Sequence, residues 1–557
     1  MSSRISLTGS ALSYEFSNGT SLFRKLNFSF GQSTYGLIGP NGVGKTTLVK
    51  LLCREIPPTS GTVSCNGSLA VLPQIRNRSD ENSTQVSIAE MLGIQNTIEA
   101  LKQVESGHAS PEVLDLIGDH WDLETQIEKT FQSLGIGYLT TAQSSQLLSG
   151  GEWVKIHLAK ILLNSPSIVL LDEPSNNLDE SGRQVLYHFI ENWKRCLIVV
   201  SHDRALLSHV QTIVELSNHG LQFYGGNYDF YVSEREKENN ALQQQLTTAK
   251  QERKRQQFDL QKSLERQQKR MSQGKRAAAQ GGIPTIAAGG LKRKAQGTLA
   301  RIKDVQESRL IDSQIETQTL KSKIKARNII QINPPETSLH SKKEILVIED
   351  FNFKQSASQD FLYSHPISFR LAGPKRVRIT GPNGAGKSTL IRLLLQSVAD
   401  TKDSLSDECT GVIQLKTNRV AYLDQNLSLL GEGQDSLLVH FSKTTPHLSE
   451  SERRIRLGRF LFNQSNQAKK ISDLSGGERM RAALACILFS EFPPELLILD
   501  EPTNNLDMDS IEQIESALSQ FKGAVIVISH DSEFLTNIGA TEELAIPHRF
   551  RLNVQTQ

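Results

Sequence analysis

Two acidic pairs, Asp172–Glu173 and Asp500–Glu501, close the apolar runs "SIVLL" and "ELLIL", and each pair begins 30 residues before a histidine, His202 or His530. Upstream of each lies a glycine-rich loop, "GPNGVGKTT" from Gly39 to Thr47 and "GPNGAGKST" from Gly381 to Thr389. The chemistry such residues suit is attack of water on a terminal phosphate. Glycines let backbone N–H groups close around phosphate oxygens, and a helix N-terminus behind them adds partial positive charge. Lys45 and Lys387 can then reach the β and γ phosphates, while the hydroxyls of Thr46 and Ser388 ligate Mg²⁺. Asp172 and Asp500 hold that ion through its water shell, since Mg²⁺ takes few protein carboxylates. Glu173 and Glu501 are left to polarise the water as general bases. A neutral His202 or His530 can hydrogen-bond the γ phosphate or the water.

Elements that could position these groups are readable around them. In "STYGLIGPNGVGKTTLVKLLC" and "RVRITGPNGAGKSTLIRLLL" an apolar strand enters the loop and a helix leaves it. The nucleotide would thus lie on Gly39, Pro40, Asn41, Gly42, Val43, Gly44, Lys45, Thr46 and Thr47. In the second copy it would lie on Gly381, Pro382, Asn383, Gly384, Ala385, Gly386, Lys387, Ser388 and Thr389. The acids end buried parallel strands. The histidines follow "CLIVV" and "VIVI", which puts them on the same edge of a doubly wound sheet, where such folds bind nucleotide.

Self-similarity organises the whole chain. Phosphate loop, "LSGGE" ending at Glu152 or Glu478, acidic strand and histidine recur twice in one order. Together they resemble the ATP-binding cassette superfamily, with "LSGGE" the decisive element. The resemblance implies two α/β P-loop ATPase domains facing head to tail, each ATP lying between one domain's phosphate loop and the other's signature. Ser149, Gly150 and Gly151 would complete the site on Lys387, and Ser475, Gly476 and Gly477 the site on Lys45. Gln74 and Gln425 match the family's glutamine beside metal and water. Tyr14 or Phe16, and Phe353, are candidates to stack on adenine, with core packing an equal reading. Ser175 stands where the second copy has a threonine and keeps the hydroxyl. Both sites are expected to turn over.

At 557 residues the chain has room for two or three domains. No uninterrupted apolar stretch is long enough to cross a bilayer, and "MSSRISLTGSALSYEF" has no apolar signal-peptide core, so a cytoplasmic protein is expected. The five cysteines are scattered and form no CxxC pair, which reads as buried small hydrophobes. Net charge is only +2, yet from Lys250 to Lys303 fifteen Lys and Arg face three acids. The stretch from Ser233 to about Ser272 carries Leu242, Leu246, Leu260 and Leu264 at helical spacing. A second helical stretch runs from about Leu299 to Ile330, which suggests an antiparallel hairpin. The domains expected are therefore 1–230, a basic linker at 231–340 with its tip near 273–298, and 341–557.

Twin cassettes with such a linker, beginning at "YGGNYDFYVSERE", resemble subfamily F. Members of that group mostly act on the ribosome, entering the tRNA exit site and pointing the linker at tRNA and the peptidyl transferase centre. The resemblance implies a translation factor or a factor protecting ribosomes against antibiotics, with rRNA and tRNA as partners. The alternatives are the ATPase subunit of a drug exporter and a DNA-associated ATPase. Between its glutamine and its signature the first cassette is about 25 residues longer than the second, near Asn77 to Glu128. That difference reads either as a larger helical subdomain or as an arm touching ribosomal protein or RNA.

Overall fold

In the computed structural model, the residues described are 5–73, 86–176, 178–217, 220–279, 313–315, 317–319, 330, 339–354, 361–399, 409–431 and 433–546. Each half of the repeat builds a parallel sheet. The first runs in the order Leu69–Leu72, Ile168–Asp172, Cys196–Val200, Thr34–Ile38, Thr212–Ser217, with Gly220–Tyr224 added antiparallel at the edge. The second runs Val420–Leu423, Leu496–Asp500, Ala524–Ile528, Arg376–Thr380, Glu542–Ala545. Strands Thr34–Ile38, Ile168–Asp172 and Cys196–Val200 are buried along their whole length. Unbroken apolar runs of this kind need both faces covered, so they occupy the sheet centre.

That order positions the chemistry. The three neighbouring central strands deliver Gly39, Asp172–Glu173 and His202 to one sheet edge, and their counterparts deliver Gly381, Asp500–Glu501 and His530. A smaller antiparallel sheet, Ser21–Phe30, Ser6–Glu15 and Ser60–Asn66, packs on the first through Phe23, Phe28 and Phe30. Ile367–Ala372, Glu344–Phe353 and Cys409–Leu415 do the same in the second half.

The chain divides into two compact units, one of Met1–Tyr228 with Asn328–Gln557 and one of Asp229–Arg327. Both cassettes belong to the first. The second unit is led by a helix, Tyr228–Ala279, of 52 residues, longer at both ends than the leucine spacing predicts. At 1.5 Å per residue it is about 78 Å long. Two of its cations lie over its own aromatics, Arg235 over Tyr231 and Lys262 over Phe258. Residues 313–315 and 317–319 are helical as well, whereas the expected linker tip lies mostly outside the described residues.

In the first cassette the longer segment before the signature forms the helices Gln95–Glu105, Pro111–Ile117 and Leu123–Ser133. The first two pack on each other, and Leu116 and Trp121 are exposed. The second cassette has Leu437–Thr444, Glu450–Arg459 and the single turn Gln464–Gln467 in that place. Among the described residues no helix is long and apolar enough to cross a membrane.

Candidate active site

Each phosphate loop is shaped by glycines that cannot be replaced freely. Gly44 has φ of +101°, and a Cβ there would lie 2.7 Å from both Leu22 and Phe23. Gly386 has φ of +94° and would meet Leu362 at 2.7 Å. The helices Lys45–Leu52 and Lys387–Ala399 start at these points. Lys45 Nζ donates to the carbonyls of Gly39 and Pro40 at 2.7 and 3.2 Å, and Lys387 Nζ donates to those of Gly381 and Pro382 at 2.6 and 3.3 Å. Each ammonium therefore lies folded over its own loop. Burial lowers the pKa of both, against the pull of the nearby Glu173 and Glu501.

A cavity of about 410 Å³ opens at Lys45, lined among others by Phe16, Gly42, Thr46, Asp172, Glu173, His202 and Asn505. Phe16 thus faces it, while Tyr14 and Phe353 are half-buried against the cores. Glu173 and Glu501 have φ of +50° and +49°, rare for a side-chain-bearing residue. Strain of this kind costs of order 1–3 kcal/mol and persists where surroundings over-determine it. Here Glu173 N donates to Val200 O and Glu501 N to Ile528 O, both at 2.9 Å. The backbone N–H groups of His202 and His530 donate in turn to the two carboxylates.

Burial pushes the Glu173 carboxyl up to about 8; Asp172 adds to this and Lys45 opposes it. Glu501 rises to about 7, mainly by burial, with Arg183 and Lys387 pulling it back. Burial, helped by Lys45, drives His202 down to about 3, and His530 falls to about 4 through burial, Lys387 and Arg183. The imidazoles are neutral at pH 7, so their approaches to Glu173 and Glu501, 3.8 and 3.5 Å, are not ion pairs. Both ring nitrogens of His202 are buried without a hydrogen-bond partner among the described residues.

The two cassettes meet through reciprocal contacts. Asn41 N donates to Asp507 Oδ2 at 2.8 Å, and Asn41 Nδ2 to Asn505 O at 3.0 Å. Across the repeat, Asn383 N donates to the Asp179 carboxylate. The residues of "LSGGE" form capping boxes, with Ser149 and Ser475 accepting from the backbone of Glu152 and Glu478 at 3.2 and 3.3 Å. A hydroxyl used as acceptor still has its proton to give to a phosphate. Ser475, Gly476 and Gly477 are not among the residues lining the cavity at Lys45; Gly476 sits behind Asn505, the residue that reaches in.

The residues expected to hold Mg²⁺ offer oxygen donors only, which would suit that ion. Ser388 Oγ lies 3.2 Å from Asp500 Oδ2, and Thr46 and Asp172 line the same cavity. Tyr422 also donates to Asp500 Oδ2, at 3.2 Å, from the position that Val71 fills in the first cassette. Gln74 lies outside the described residues, and Gln425 follows the strand Val420–Leu423 by two residues. Sequence reasoning passed over Asn505, Asp507, Arg183 and Tyr422. The two "NNLD" tetrads carried a usable signal for the first pair, since both copies end in the aspartate that crosses the seam.

Sheet order, phosphate loops and paired acids define a protein of two phosphate-loop nucleotide-hydrolase domains. The sequence family described as ABC transporter matches residues 23–176 and 364–504. The chain is 30% identical over 535 residues to ABC transporter F family member 4 of Arabidopsis thaliana, covering 91% of this chain and 69% of that protein. It is also 30% identical to the uncharacterized ABC transporter ATP-binding protein YkpA of Bacillus subtilis (strain 168), over 93% of this chain and 90% of that one. The solved structure of RNase-L Inhibitor shares the fold, with a TM-score of 0.50 at 17% identity over 95% of this chain and 86% of the other. The chain belongs to the ATP-binding cassette superfamily, in its F branch, and is an ATPase of that type.

Proposed function

We propose that the chain is a cytoplasmic factor that acts on the ribosome, using ATP to close its cassettes and hydrolysis to reopen them. In this reading, Lys45 and Lys387 hold the β and γ phosphates, and neutral His202 and His530 donate a hydrogen bond to the γ phosphate or water. The buried, unpartnered ring nitrogens of His202 support that role. Thr46, Asp172 and Gln74, with Ser388, Asp500 and Gln425, hold Mg²⁺, which when bound would neutralise charge on the phosphates. Glu173 and Glu501 accept the proton of the attacking water. Ser149, Gly150 and Gly151, with Ser475, Gly476 and Gly477, close over ATP once the seam tightens.

The ribosomal part rests on one observation above all: the stretch from Lys250 to Lys303 holds fifteen cations against three acids, most of them on a helix about 78 Å long. Such a surface suits phosphate backbone, with affinity that falls as salt rises and little dependence on sequence. In the F branch, that combination points toward RNA rather than toward a membrane partner or DNA. The segment at 231–340 is then the working end between ATPase domains at 1–230 and 341–557. A translation role and protection against antibiotics share this chemistry.

Glu173→Gln with Glu501→Gln should bind ATP without turnover and sediment with ribosomes in a sucrose gradient. The double variant remaining at the top of the gradient, with a control factor sedimenting, would end the ribosomal reading. Replacing 275–294 by a Gly-Ser loop should weaken the association.

A further inference from the structure

One helix of the second cassette, Met508–Gln520, touches the first site at two places. Its cap, Asp507, accepts from Asn41 N in the phosphate loop. Two turns on, Glu515 Oε1 accepts from Arg204 Nη1 at 2.9 Å, and the same nitrogen lies 3.1 Å from Glu533 Oε1. The Arg204 side chain is 3% exposed. It follows His202 and Asp203 directly and opens the short helix Arg204–Leu207, capped by Asp203 Oδ1 accepting from Leu206 N at 3.1 Å. A single rod therefore grips both the phosphate loop and the histidine loop of one site.

The other site has only half of this arrangement. Aligning the repeats on Asp179 and Asp507 puts Tyr187 in the place of Glu515, and aligning on the histidines puts Ser532 in the place of Arg204. Neither side chain can form the ion pair. Tyr187 instead donates to Asp203 Oδ2 of its own cassette at 3.4 Å. The cap contact, Asp179 with Asn383 N, is retained.

We propose that Arg204 is a positioning residue that latches the first ATP site: by pairing with Glu515 it holds the His202 loop on the second cassette, so that this site releases nucleotide more slowly than its twin. The inference rests on reading Lys45 and Glu173 as part of an ATP site. A buried pair across a seam slows separation, and losing one partner leaves a charge uncompensated.

The test uses the full chain carrying Glu173→Gln and Glu501→Gln, loaded with ribose-labelled fluorescent ATP and Mg²⁺ and chased with unlabelled ATP. Release should be biphasic, and Lys45→Ala should remove the slow phase. Arg204→Ala should speed that phase by about tenfold or more and leave the fast phase alone, with Arg204→Lys restoring much of the difference. Arg204→Met combined with Glu515→Gln removes the two buried charges of the pair, leaving only the half-exposed Glu533, and guards against misfolding; it too should speed the slow phase. Equal acceleration of both phases, or a slow phase indifferent to the double substitution, overturns the latch. A slow phase that survives Lys45→Ala overturns the site reading, and the latch with it.

Discussion

The backbone N–H of Asn41 donates to Oδ2 of Asp507 at 2.8 Å, while Oδ1 of the same carboxylate caps its own helix by accepting from Ser510 N at 3.0 Å. One aspartate thus serves helix integrity and cassette closure together. Asp507→Ala should lower stability by about 1 kcal/mol, the usual worth of a cap. It should also slow the first site about tenfold or more through lost alignment. Asp507→Asn keeps an acceptor oxygen and should recover most of the stability. Steady-state ATPase in a Glu501→Gln background, with thermal melts alongside, reads both effects.

If Glu173 and Glu501 act as the proposed bases, they set a pH dependence whose sign follows from burial. Glu173 and Glu501 are raised to about 8 and about 7, so each is protonated below its value and becomes a base above it. Since kcat/KM reports the free enzyme, it should rise with pH across the neutral to mildly alkaline range, whichever of the two sites is left working. The two imidazoles stay neutral throughout that window. Profiles of Glu501→Gln and Glu173→Gln that stay flat across that range would contradict the assignment.

Two glycines of one loop should respond unequally to a methyl group. At Gly42, φ is +80° with nothing within 4 Å of an added Cβ, so Gly42→Ala carries only backbone strain, about 1–2 kcal/mol. At Gly44 the same change also drives into Leu22 and Phe23, and the cost should exceed that by about 1–3 kcal/mol of overpacking. Melts of the two variants, and their ATP affinity, make the comparison.

In the second cassette a phenol, Tyr422, donates to Asp500, the acid proposed to hold Mg²⁺. Tyr422→Phe deletes the donor to Asp500 and should raise the Mg²⁺ concentration for half-maximal ATPase by about tenfold, an outer-shell effect. The readout is a Mg²⁺ titration of Glu173→Gln carrying the change. In Glu501→Gln, where Val71 holds the corresponding place, Tyr422→Phe should leave the curve where it was.

Local chemistry was legible because its information is local. Strand, glycine turn and helix around Lys45 are contiguous, and repetition supplied the pairing of Asp172 with His202. Long-range partners were not: the repeated "NNLD" marked Asp507 without naming Asn41 as its partner, and Arg204 and Glu515 lie hundreds of residues apart with nothing near either to announce the other. The linker helix ran past the leucine spacing at both ends, because the buried Tyr228 and Tyr231 anchor its start and the lysine, arginine and alanines after Ser272 have high helix propensity. The left-handed backbone at Glu173 and Glu501 had no signal either. Glutamate does not favour it, and backbone bonds to Val200 and Asn176 in one copy, and to Ile528 and Asn504 in the other, hold it.

That backbone sets robustness against turnover. The residues that would relax most readily at these two positions are glycine and asparagine, and neither carries a carboxylate. Selecting variants of this chain for heat resistance alone would therefore favour loss of the carboxylates proposed to activate water, leaving, on that reading, a sturdier protein locked on its nucleotide.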